Sequence, residues 1–142
     1  MTRAHISKQL RDFVNQRAQG CCEYCLLNQT DADSPHQVDH LMPLKHSGQT
    51  VSENLALACQ LCNRYKGSDL GAIDPASVRL VALFNPRVDN WTDHFELDGA
   101  RIVGLTLAGR ATVAVLRLNQ EARLLDRITL IEAGRYPPSI KQ

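Results

Sequence analysis

Apolar positions recur every three or four residues at the start of the chain. Ile6, Leu10, Phe13, Val14 and Ala18 would share one face of a helix spanning about 5–18. Ser7 stands where a hydroxyl caps a first turn, and Gly20 where a helix stops. Polar residues then dominate from Leu26 to Pro35, which reads as a loop. Gln37 to Met42 and Leu55 to Ala58 read as short strands, separated by a long loop with a Ser47-Gly48 turn. Helical spacing returns from Cys59 to Lys66, and Gly67 ends it. The centre, about 36–67, is therefore a ββα unit.

Beyond it, residues 68–90 read as irregular, with Gly71, Pro75, Pro86 and one apolar patch from Val78 to Phe84. Trp91–Leu97 and Arg101–Leu105 would pair across Asp98-Gly99, a strong hairpin signal. Thr106 can cap a helix over about 107–116, and Asn119 another from Gln120 to about Ala133. In the second of these, Leu124, Leu125, Ile128 and Ile131 form an apolar stripe. Core packing is the reading taken for it, with a homodimer surface as the other option. The pattern predicts an α+β fold in one domain over 1–142: an N-terminal helix, the ββα core, then a hairpin and helical extension over about 78–134.

Composition changes this picture little. The chain has 142 residues, of which 44% are hydrophobic, 22% charged and 5% aromatic, so the core must be mostly aliphatic. No apolar run approaches the roughly 20 residues a membrane helix needs. The start of the chain, Met-Thr-Arg-Ala-His-Ile-Ser-Lys, lacks the apolar stretch of a signal peptide, and a cytoplasmic protein is expected. The formal net charge is only +1, so a nucleic-acid partner would need clustered rather than global positive charge. Candidate clusters are Arg3, Lys8, Arg11 and Arg17 near the start, and Lys45, Arg64 and Lys66 around the centre.

The five cysteines change it more. Cys22 and Cys25 form one CxxC, and Cys59 and Cys62 a second. Four thiolates able to converge suit a closed, tetrahedral structural zinc site, which clamps the turn after the first helix onto the start of the ββα helix. A thioredoxin-like redox pair is the competing reading, but the strand–CxxC–helix context is missing. Cys21 is left as a plain thiol.

The ββα unit also carries hydrolytic chemistry. Phosphodiester hydrolysis needs a base for water and a cation for the developing charge. His40 could be the base. Asp39 and Asn63 offer hard oxygen ligands that suit magnesium or manganese. Asn54 could accept from the His40 imidazole, and Lys66 could contact a phosphate. Alternation along a strand sends Asp39 and His40 to opposite faces, so a twist or bulge is expected there. His94 follows Asp93 in an echo of Asp39-His40, and reads as a hairpin residue packed under Trp91.

Val38-Asp39-His40-Leu41-Met42-Pro43, Gly48-Gln49-Thr50, Glu53-Asn54-Leu55 and Cys59-x2-Cys62-Asn63-x2-Lys66-Gly67 together resemble the HNH endonuclease family in its four-cysteine form. The resemblance implies a ββα-metal fold that cleaves DNA with one divalent ion. It assigns Asp39 and Asn63 as metal ligands, His40 as general base, Asn54 as the residue that orients it, and Cys22, Cys25, Cys59 and Cys62 as the zinc ligands. The third motif position is Asn63 where histidine is also used. The usual Gly-Gly turn is Ser47-Gly48, with Gly48 expected to need the unusual backbone angles. The C-terminal half, through Leu83-Phe84-Asn85-Pro86, Trp91-x-Asp93-His94-Phe95 and Gly109-Arg110-Ala111, resembles a group of short bacterial HNH proteins. The alternative to an enzyme is a zinc-stabilised DNA-binding or adaptor module with an inert ββα unit.

Overall fold

The computed structural model describes residues 5–139. Helix α1, Lys8–Arg17, starts where the Ser7 hydroxyl accepts from the Leu10 amide at 3.1 Å. Its apolar face packs Val14 and Ala18 on Leu55 and Leu57. Its basic face is not all free for a ligand. Lys8 pairs with Asp12, and Arg17 turns inward to donate to the carbonyls of Ser52 (3.0 Å) and Leu55 (2.7 Å). Arg17 therefore tethers α1 to the central unit, and Arg3 lies outside the described residues.

Strand β1, Gln37–His40, pairs antiparallel with β2, Leu55–Ala58, with Asp39 opposite Ala56 and His40 opposite Leu55. All four β2 residues are buried because both of its faces are covered. Leu55 and Leu57 meet α1, while Ala56 and Ala58 meet the larger core. That division follows the two-residue period of a strand. Helix α2, Gln60–Lys66, follows at once, with Cys59 as its N-cap. The ββα unit thus forms where the pattern places it, though β1 stops at His40 and not at Met42.

The segment after it differs from expectation. Gly71–Ile73 (β3) and Leu80–Ala82 (β4) form a hairpin in the stretch read as irregular. Its strands are three residues long and expose Ile73 and Leu80, so no alternation advertises them. The link is held by Asp74, which accepts from the Ala76 and Ser77 amides, the Ser77 hydroxyl, and Arg110 at 2.9 and 3.0 Å. Trp91–His94 is a helical turn, α3, and not strand; the indole N–H donates to the Tyr24 carbonyl at 2.8 Å. The strand begins at Phe95, and β5 (Phe95–Asp98) pairs with β6 (Arg101–Gly104) across the expected Asp98-Gly99 turn. His94 packs on Phe84 and Phe95 and bonds the Thr106 hydroxyl at 2.6 Å, so Trp91 is not what covers it.

Helix α4, Leu107–Val115, is capped by Thr106 as expected. Helix α5, Glu121–Glu132, is not capped by Asn119, whose side chain instead clamps both backbone groups of Ile102. The stripe expected to be core is at the surface: Leu125, Ile128 and Ile131 are 57, 44 and 38% exposed. The buried residues of α5 are Arg123 and Arg127. The main core joins both halves of the chain, with Cys22, Tyr24 and Ala56 beside Phe84, Phe95, Ile102, Leu116 and Leu118. Among the described residues no helix is long and apolar enough to cross a membrane. The architecture is α+β, built on the ββα core.

Candidate active site and metal centre

The two CxxC turns converge. The sulfurs of Cys22, Cys25, Cys59 and Cys62 all lie within 4.8 Å of one another, and those of Cys25 and Cys59 are 3.7 Å apart. Four sulfurs about 2.3 Å from one tetrahedral ion would sit about 3.8 Å from each other, so the cluster fits a single metal ion. Each turn is shaped by its own amide-to-sulfur bond, from Cys25 to Cys22 (3.5 Å) and from Cys62 to Cys59 (3.4 Å). The first turn is pinned to β2 by the Glu23 amide on the Leu57 carbonyl and the Leu57 amide on the Glu23 carboxylate. Burial pushes the Cys22 and Cys62 thiols well up, so holding all four as thiolates calls for a cation. Cys21 is buried too but stands apart, its sulfur 3.6 Å from the Gln19 carbonyl and from the Asn28 amide.

Sequence reasoning missed the cation already present. Arg123 is 5% exposed, and its Nη2 stands 3.0 Å from the Cys62 sulfur and 3.7 Å from that of Cys59. Burial works against its charge, but Cys62, Cys25 and Cys59 outweigh that and raise its pKa. No sequence signal marks it, because an arginine in an amphipathic helix ordinarily faces water.

On the ββα unit, Asp39 and Gln37 sit two apart on β1 and face α2. Asn63 donates to the Gln37 side-chain oxygen, and Lys66 lies 3.0 Å from Asp39 Oδ2 and 3.3 Å from the His40 carbonyl. Burial raises the Asp39 pKa, and Lys66 partly offsets this. The Asp39–Lys66 contact is an ion pair without hydrogen-bond geometry, so Asp39 Oδ2 is buried and unbonded. A buried carboxylate oxygen that takes no hydrogen bond and an amide side chain are donor types that suit a hard divalent ion, with the Lys66 ammonium already 3.0 Å from the carboxylate. Lys66 itself is 3% exposed, which corrects its expected place at a nucleic-acid surface. Lys45 and Arg64 are exposed.

His40 points the other way, to the loop. Its Nε2 lies 2.9 Å from the Thr50 hydroxyl. Asn54 does not reach the imidazole. Its oxygen accepts from the Met42 amide at 2.7 Å, and its nitrogen donates to the carbonyls of Met42 (2.9 Å) and Gln49 (2.8 Å). Asn54 therefore staples the loop that carries Thr50, and any orientation of His40 by Asn54 is indirect. The loop turn also reverses an expectation. Ser47 takes the left-handed conformation (φ 66°), while Gly48 is needed for close approach, since a Cβ there would lie 1.7 Å from the Met42 carbonyl oxygen. His46 is exposed beside Lys45. The ring of His36 is buried, and its Nε2 meets the Leu27 carbonyl at 2.7 Å.

Residues 22–69 match the family described as HNH endonuclease. The Septu protein PtuB of Bacillus thuringiensis is 30% identical over 123 residues, covering 85% of this chain and 44% of that protein. The chain thus spans less than half the length of the curated relative it matches. No solved structure matches it.

Proposed function

We propose that the chain, whose residues 22–69 match the HNH endonuclease family, hydrolyses DNA phosphodiester bonds with His40 as general base. The observation that carries this is the pairing of His40 with Thr50. With Nε2 engaged by the hydroxyl, a neutral imidazole with its proton on Nε2 leaves Nδ1 open to take a proton from water. Asp39 and Asn63 would hold a divalent ion, magnesium or manganese, which supplies positive charge to the phosphate as negative charge develops. Asn54 and Gly48 keep the loop, and with it Thr50, in place. Lys45 and Arg64 are the exposed cations for the DNA backbone. The four cysteines hold a structural zinc that joins the first knuckle to the start of α2. The likeness to Septu protein PtuB runs through the C-terminal extension, which we read as part of the same domain.

One observation favours the inert binding module as a second reading: Lys66 already sets a positive charge against the carboxylate that would ligate the ion. The deciding experiment incubates supercoiled plasmid with the zinc-loaded protein and magnesium or manganese, beside His40→Ala. The expected result is metal-dependent nicking or linearisation, lowered about 10²–10⁴-fold in the variant, with folding and gel-shift binding retained. Binding without cleavage under every metal would favour the inert module. Cleavage that survives in His40→Ala would remove the base assignment.

A further inference from the structure

Buried arginines are costly, and this chain buries two on one helix. Arg127 spends its donors on backbone carbonyls of Ala100 and Leu118, both at 2.6 Å, and on Asn119. Arg123 is different. Its Nη1 reaches the Leu116 carbonyl at 2.8 Å, but its Nη2 is given to sulfur, and among the described residues it has no carboxylate partner. A guanidinium removed from water needs a negative partner, and the partner here is the cysteine cluster. Four thiolates carry four negative charges and a divalent ion returns two, so the filled site keeps two for a neighbouring cation to meet. The rest of the C-terminal segment reaches the same site. The Tyr136 hydroxyl donates to the Cys25 carbonyl at 2.8 Å, and Arg135 pairs with Asp31 at 2.6 Å. Arg123 and Tyr136 thus touch opposite knuckles.

We propose that Arg123 is an outer partner of the four-cysteine centre, whose bonds to the Cys62 and Cys59 sulfurs retain the metal. The inference rests on the zinc reading of those cysteines. Hydrogen bonds to a thiolate draw charge from the sulfur and hold it in its ligating orientation, as partners of metal ligands generally do.

The test uses the full chain loaded with zinc, with Arg123→Gln, Arg123→Lys and, as a control, Arg127→Gln. Zinc content and the rate of zinc transfer to a chromophoric chelator are measured. Wild type should hold one zinc per chain. Arg123→Gln should release it about 10–100-fold faster, Arg123→Lys less so, and Arg127→Gln at nearly the wild-type rate even if its fold is weakened. Should Arg123→Gln fail to fold, cobalt-loaded Arg123→Lys answers the same question. Its sulfur-to-cobalt charge-transfer band should move to lower energy than in wild type, which packing alone would not cause. Zinc bound one to one with unchanged release in both Arg123 variants would overturn the proposal and leave the zinc reading standing. A wild-type chain that takes up no zinc would overturn the zinc reading itself.

Discussion

Single residues carry more than their types announce. Asp74 is a plain loop aspartate in the sequence, yet Arg110 and the Ser77 hydroxyl hold its carboxyl well below the usual range. A depressed carboxyl stabilises the fold above its ordinary pKa of about 4, and that contribution fades as pH falls toward the native value. Wild type should therefore exceed Asp74→Asn in urea stability at about pH 7, with the gap narrowing at about pH 3. A gap of equal size at both would mean that charge on Asp74 is not what closes the β3–β4 link. The same lesson applies to Asn54 and Thr50. Both lie in motif segments legible in the sequence, but spacing could not say which one touches His40. That was settled by the loop, which turns Asn54 onto its own backbone and Thr50 onto the imidazole.

At the scale of elements, hydrophobic pattern and turn residues located α1, both central strands, α2, the Asp98-Gly99 hairpin and α4, because each buries at least one face. They failed where that condition fails. Strands β3 and β4 are too short and too exposed to alternate, and Trp91–His94 is helical within what read as a strand. The 41–54 loop is an element in its own right, and Gly48 is its tightest point. Gly48→Ala should cost about 1–3 kcal/mol, since the new methyl must displace the Met42 backbone, and it should slow cleavage by loosening Thr50. Ser47→Gly, which relieves a left-handed serine, should be tolerated. Urea melts and plasmid nicking of the two variants check this, and equal losses in both would show that close approach is not what selects Gly48.

For the molecule as a whole, charge is informative only by position. Of the central cations, Lys66 is turned inward and Lys45 and Arg64 outward, so only the latter two can meet a phosphate backbone. Replacing either by alanine should weaken DNA binding uniformly across sequences and lower the slope of log affinity against log salt by about 1. Unchanged slopes in a salt titration would remove that residue from the interface. The chain alone determined the ββα unit and the pairing of two CxxC turns, because these depend on residue type and short spacing. Tertiary structure decided the rest. It turned the apolar stripe of α5 outward and its arginines inward, since the thiolate cluster beside α2 offers Arg123 a counter-charge that a distant stretch of sequence cannot reveal.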